Sequence, residues 1–318
     1  MNKEYLDYIE TELRPWLFQS VKDGYFTSYD DLRLHYYEAV HPEEKAAVVM
    51  VHGFCEFFGK YHETACRFYQ EGYSVFFLEL RGHGKSERSH NAEDQRVHVD
   101  DFNEYVEDIH TFLQKVVIPH NRTGRLFLFA HSMGGAASAL FLEQYRDMFR
   151  CAVLSSPMLQ LDIKNLPDWI LSGLKIYPKL TAKVHEYAPG QGPFSFINEF
   201  EHSSCLDPDR YEYQFRLRCQ DPSYQTWGAT WGWVSSAVAA TEQLHRNAGK
   251  IRIPILICQA GSDNMVRNLG QNLFRSRCHY VTLLSYPESR HELFNATDEI
   301  RAKYYRDVLA FYRAFLNT

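Results

Sequence analysis

The stretch Arg125-Leu126-Phe127-Leu128-Phe129-Ala130-His131-Ser132-Met133-Gly134-Gly135 decides how the rest of the chain is read. A run of bulky apolar residues ends on a serine flanked by small residues, and an alanine-rich run (Ala136, Ala137, Ala139, Leu140) follows. That is a strand, a sharp turn and a helix, with Ser132 at the apex. Such an elbow strains the serine backbone and lifts its hydroxyl clear of the sheet, where a histidine can reach it. Ala130 and Gly134 stand two residues to either side because strand and helix converge there, and large side chains would collide.

Working outward, the segments around this elbow alternate. Two strands, Gly24–Ser28 and Leu32–Ala39, meet at a turn on Asp30-Asp31. Ala46–His52 and Tyr73–Leu80 are near-continuous apolar runs, the pattern of strands covered on both faces. Tyr61–Gln70 and Asp101–Val117 have helical periodicity. Cys151–Ser155 supplies the next strand after the Ser132 helix. This βαβα order predicts an α/β fold: a mostly parallel, doubly wound sheet with right-handed crossovers. From 158 to 234 the pattern breaks into prolines, short helical pieces and aromatic residues, among them Trp169, Tyr177, Phe194, Phe196, Phe215, Trp227, Trp231 and Trp233. Alternation resumes with a helix at Ser235–Arg246, a strand at Ile253–Gln259, a helix near Leu269–Arg275, a strand at Tyr280–Tyr286 and a helix from Asp298 to Phe315. The expected organisation is a core of residues 1–157 and 235–318, with a helical cap of 158–234 inserted after the sixth strand.

The 318 residues are 45% hydrophobic and 23% charged, with a formal charge of −6. That balance suits a globular protein with a large core and argues against nucleic acid as a partner. Seven cysteines lie scattered with no CxxC pair, as in a protein with free buried thiols in a reducing compartment. Met1 to Trp16 is too charged for a secretory signal, and no apolar run approaches the ~20 residues of a membrane span. A cytoplasmic protein is expected.

A serine becomes a nucleophile when a histidine takes its proton, and the histidine needs a carboxylate to fix its tautomer. In folds of this class the chain order is serine, acid, histidine. Asp263 follows one late strand, in Gln259-Ala260-Gly261-Ser262-Asp263, and His291 follows the next, in Glu288-Ser289-Arg290-His291-Glu292. Glu288 and Glu292 are rival acids for His291. All three groups then converge at the carboxyl ends of the strands, where open sheets bind their ligands. A developing oxyanion needs backbone donors; Met133, at the start of a helix, and Phe54, in the His52-Gly53-Phe54-Cys55-Glu56 loop, are the candidates. Arg81-Gly82-His83-Gly84-Lys85-Ser86 lacks phosphate-loop spacing and reads as a tight structural loop. His291-Glu292-Leu293-Phe294-Asn295 lacks the second histidine of a zinc motif, so no metal and no cofactor is expected. His98 with Asp100-Asp101 reads as a capped helix start.

These motifs together resemble the α/β-hydrolase superfamily, and within it the bacterial lysophospholipase and monoacylglycerol lipase group. The resemblance runs from about Gly24 to Phe315 and includes cap segments at Leu206–Tyr211 and Thr230–Trp233. Two positions depart from the group's pattern: Ala130 stands where glycine usually opens the elbow, and Glu79 where aspartate often ends a strand. The resemblance implies hydrolysis of a long-chain carboxylic ester through an acyl-enzyme, with Gly53, Glu56, His131, Trp231 and Trp233 against the substrate. It also implies a small acyl-lipid ligand, a monomer or weak oligomer, and compatibility with peripheral contact at the inner membrane.

Two rivals remain at this point. A serine aminopeptidase or proline iminopeptidase uses the same elbow and grips an α-amino group through cap carboxylates, for which Glu199, Glu201 and Glu212 are available. A non-catalytic descendant of the fold would bind a ligand without turning it over, and usually loses a member of the triad.

Overall fold

A computed structural model describes residues 1–88, 95–162 and 183–317. Eight strands form one sheet: β1 (Lys22–Thr27), β2 (Arg33–Ala39), β3 (Ala46–Val51), β4 (Tyr73–Leu78), β5 (Leu126–His131), β6 (Cys151–Ser155), β7 (Ile255–Ala260) and β8 (Val281–Tyr286). Their spatial order is β1-β2-β4-β3-β5-β6-β7-β8. β2 pairs antiparallel with both β1 and β4, and every other pairing is parallel. The expected α/β-hydrolase architecture is what the chain adopts.

Alternation along each strand feeds two cores. Ala47, Val49, Val51, Leu128, Ala130, Ile255 and Ile257 face one side of the sheet. There they meet helices α4 (Asn103–Phe112), α5 (Ser132–Gln144), α7 (Trp231–Asn247) and α8 (Asn268–Arg277). Val48, Met50, Phe127, Phe129, Val153, Leu256 and Cys258 face the other. Helices α1 (Lys3–Tyr8), α2 (Arg14–Ser20), α3 (His62–Gln70) and α9 (Asp298–Ala314) cover that side. Central strands are therefore apolar on both faces. The edge strands β1 and β8 are largely exposed or half-buried.

Register places the chemistry at one rim. Val51 is level with Leu78 and with Ala130, His131 with Ser155, Ser155 with Cys258, and Ala260 with Tyr286. The loops leaving β3, β5, β7 and β8 thus emerge side by side. Between β6 and β7 no described residue joins the sheet. This stretch contains helix α6 (Pro208–Gln220) and three isolated bridges, Leu161 to Val266, Val97 to Ala229 and Tyr187 to Thr230. Trp169 and Tyr177 lie outside the described residues.

Several boundaries differ from expectation. The helix expected from Ser235 begins at Trp231, because the Thr230 side chain accepts the Trp233 amide and caps it. The helix expected from Tyr61 starts at His62, after a tight turn over Phe58–Tyr61. The helix expected over 101–117 continues past Phe112 as a wider turn, Leu113–Val117. Helices α1 and α2 were not anticipated. Tyr5, Ile9, Leu13 and Trp16 recur at helical spacing and are buried, but flanking charges and Pro15 mask that spacing.

Candidate active site

Strand β5 delivers His131, and the next residue turns: Ser132 has φ of 51°, in the left-handed region. The turn is possible because Gly134 lies against the carbonyl oxygens of Val51 and His52, where a side chain would collide with backbone. Ser132 Oγ lies 2.8 Å from His291 Nε2, and His291 Nδ1 lies 2.7 Å from Asp263 Oδ2. Asp263 Oδ1 accepts the Met265 and Val266 amides at 2.8 and 3.0 Å. Burial pushes the Asp263 carboxyl up, but the His291 hydrogen bond and charge, with the two amides, outweigh it and hold it below its ordinary value. An ionised Asp263 fixes the His291 proton on Nδ1 and leaves Nε2 as the acceptor for the serine proton. The rival acids are placed elsewhere. Glu288 is exposed, and Glu292 is held by Lys60 and Asn295.

The loop after β3 is locked from several directions. The Gly53 amide donates to Glu56 Oε2 at 2.6 Å. His52 Nδ1 donates to the Gly53 carbonyl at 2.7 Å and its Nε2 accepts the Leu80 amide at 3.0 Å. A Cβ at Gly53 would come within 3.0 Å of Ser132 Cβ and 2.8 Å of Glu56 Oε2, so only glycine fits there. With the Gly53 amide taken, Phe54 supplies the next amide of the loop. Met133 lies in the first turn of α5, where amides have no intrahelical acceptor.

Beneath this loop sits a buried charge group. Lys60 Nζ donates to Glu56 Oε1 and to Glu292 Oε1, both at 2.8 Å, and Tyr61 donates to Glu56. Burial pushes the Glu56 carboxyl up, but Lys60 outweighs it and holds it well below the carboxylate range. The two carboxylates in turn keep Lys60 charged against its own burial.

Ser132, His291, Phe54, Cys55, Glu56, Lys60 and Glu292 open into a cavity of 390 Å³. Its remaining wall is largely contributed by residues 190–228, including Phe194, Tyr211, Phe215, Arg218 and Trp227. Of the residues expected against substrate, Glu56 lines this cavity; Gly53, His131, Trp231 and Trp233 do not. His131 is fully buried. Its Nδ1 donates to the Ser155 carbonyl at 3.0 Å, and its ring lies 4.7 Å from that of His291. Burial pushes its pKa down to about 4, so it adds no cation beside His291. Trp233 packs its ring 4.6 Å from Phe54 and 5.7 Å from Phe102. Trp231 is half-buried at the start of α7, its amide donating to the Glu186 carbonyl. Lys60 and Arg218 were not anticipated. The four-residue spacing of Glu56 and Lys60 was a usable signal, whereas Arg218 looks like any arginine on a charged helix. No described residues gather into a metal-binding cluster, and no described helix is long and apolar enough to cross a membrane.

The profile of the family described as "Serine aminopeptidase, S33" matches residues 42–298. The chain belongs to that family. Lysophospholipase L2 of Escherichia coli (strain K12) is 31% identical over 268 residues, covering 82% of this chain and 76% of that protein. A monoacylglycerol lipase of Mycolicibacterium smegmatis is 27% identical, covering 81% and 85% of the two chains. Among solved structures, monoacylglycerol lipase of Paleococcus ferrophilus superposes with a TM-score of 0.68 at 21% identity, covering 87% of this chain and 97% of that one. At that identity the structural likeness shows the fold alone.

Proposed function

We propose that this chain is a serine hydrolase cleaving carboxylic esters of single-chain acyl lipids, with Ser132 as nucleophile, His291 as general base and Asp263 as its orienting carboxylate. The observation that carries the reading is the unbroken Asp263–His291–Ser132 hydrogen-bond relay opening into the 390 Å³ cavity. A cavity of that size with aromatic walls suits an apolar chain. The relatives named lysophospholipase and monoacylglycerol lipase favour esters of lipids.

In the reaction, His291 Nε2 takes the Ser132 proton as Oγ attacks the ester carbonyl. The amides of Phe54 and Met133 stabilise the oxyanion. His291 then protonates the departing alcohol, leaving an acyl group on Ser132, and water repeats the sequence to release the fatty acid. The division into a core of 1–157 and 235–318 and a cap of 158–234 belongs to the same reading, the cap forming the wall around the acyl chain. Ile197, Trp227 and Met265 are exposed and also line the cavity, which supports peripheral contact with a lipid surface. A monomer or weak oligomer suffices, because the triad comes from one chain.

Intact-mass labelling with a fluorophosphonate should add one adduct, located on Ser132 by peptide mapping. Turnover should follow on monoacylglycerols, lysophospholipids and p-nitrophenyl esters. Glu199 also lines the cavity, so amino-acid arylamides belong in the panel. Arylamide cleavage with negligible ester activity would transfer the assignment to the aminopeptidase reading, and a folded protein without an adduct would end both.

A further inference from the structure

Arg218, on α6, lines the same cavity as Ser132 and His291 and is only 7% exposed. Other inward-facing arginines are matched with carboxylates. Arg81 pairs with Asp30, Glu104 and Asp108; Arg210 with Glu63, Asp207 and Asp298; Arg301 with Glu63 and Asp298. No carboxylate among the described residues pairs with Arg218. Its Nη2 donates to the Cys55 carbonyl at 2.7 Å and its Nη1 reaches the Thr226 carbonyl at 3.4 Å. Its guanidinium carbon lies 5.0, 5.1 and 5.8 Å from the rings of Phe57, Trp227 and Phe194. Burial pulls all four arginines downward. Carboxylates outweigh it in Arg81 and Arg210, and Tyr305 with Glu63 in Arg301, whereas Arg218 stays below its ordinary value.

A guanidinium carries five N–H donors, and two of these are occupied. A buried charge needs a counter-charge. Glu56, Lys60 and Glu292 carry one net negative charge in the same cavity, and it attracts Arg218 across that space, but both carboxylates are bonded to Lys60 and the guanidinium donates to backbone carbonyls instead. The planar fork of arginine matches phosphate oxygens. Arg218 also sits beside the oxyanion loop, through Cys55, close to where the ester must lie.

We propose that Arg218 is the subsite for a phosphate group on the leaving alcohol of the substrate, so that single-chain glycerophosphate esters are selected over neutral monoacylglycerols. This rests on the ester-hydrolase reading above. The test compares kcat/KM on 1-oleoylglycerol, its 3-phosphate, its 3-phosphoglycerol ester and p-nitrophenyl butyrate for the wild type, Arg218→Gln and Arg218→Lys. Arg218→Gln should lose about 10–150-fold more on the two phosphate lipids than on 1-oleoylglycerol, the worth of a hydrogen bond to a charged group. Arg218→Lys, which keeps the charge, should restore part of the preference. Equal losses on all four substrates would overturn the proposal and leave Arg218 as a positioning residue for the Cys55 carbonyl.

Binding measured by calorimetry on Ser132→Ala separates this proposal from the hydrolase reading and needs no Arg218 variant to fold. Tighter binding of the phosphate lipids than of 1-oleoylglycerol supports the subsite, even where the wild type cleaves none of them. Equal or weaker binding of the phosphate lipids sinks it, even where ester hydrolysis is vigorous.

Discussion

Gly134 brings the elbow helix directly onto the backbone of the strand-β3 loop, its α-carbon facing the carbonyl oxygen of His52. The contact joins the two halves of the site, since Ser132 and Met133 belong to one side and Gly53 and Phe54 to the other. A methyl group there meets backbone, which cannot swing aside as a side chain would. Gly134→Ala should therefore cost about 1–3 kcal/mol of stability, lowering the melting temperature by about 1–2 °C per kcal/mol for a chain of 318 residues. Ester turnover should fall with it, because the helix must move away from the β3 loop. Unchanged melting and turnover would contradict so close an approach.

Asp263→Asn keeps the shape of the acid and removes its charge. With the tautomer of His291 no longer fixed, kcat on a p-nitrophenyl ester should fall by roughly 10⁴-fold, with the circular dichroism unaltered. A pH series adds a second reading. The Asp263 carboxyl is held below its ordinary value, so the unfolded chain binds the proton more readily than the folded one. Its contribution to stability is present at neutral pH and is lost as pH falls through the folded value. The gap in melting temperature between wild type and variant should narrow from pH 7 toward pH 3. A gap that widens on acidification would contradict the ionised carboxylate.

The sheet was legible because its central strands are buried on both faces, so Ala46–Val51, Tyr73–Leu78 and Leu126–His131 stand out as apolar runs. Ser132 was read from the small residues around its elbow, and Asp263 and His291 from chain order and their places after the last two strands. What the residues did not announce was long-range pairing. Lys60 lies 232 positions from Glu292, and Arg218 lies 163 from Cys55; no local pattern connects such partners. His131, Trp231 and Trp233 sit in motifs close to the site in sequence. Their side chains support neighbouring residues rather than the cavity wall, a distinction that depends on which way each side chain turns.

Trp233 holds the oxyanion loop from outside the cavity. Its ring is buried against Phe54, while the Phe54 amide is the proposed donor. Trp233→Ala should cost about 3–5 kcal/mol for the emptied space. In the fraction that stays folded, kcat should drop more than KM rises, because a misplaced amide weakens the transition state while the cavity wall remains. Steady-state kinetics below the variant's melting temperature checks this. A rise in KM with unchanged kcat would instead place Trp233 against the substrate.

Lys60→Met isolates the buried charge group. Removing the cation leaves Glu56 and Glu292 facing one another without it, and breaking a buried pair in this way costs about 3–5 kcal/mol. In the wild type both carboxyls are held low, so between pH 5 and pH 8 they stay ionised and stability changes little on their account. In the variant, burial and mutual repulsion raise at least one of them above its unfolded value. Stability is then fullest at acid pH and falls as pH rises through the raised folded value. Urea denaturation should give a larger deficit at pH 8 than at pH 5. Turnover should also fall, because Glu56 accepts the Gly53 amide and fixes the loop that carries Phe54. A deficit independent of pH would mean that the two carboxylates separate once Lys60 is gone, and unchanged turnover would mean that the loop does not depend on the charge group for its position.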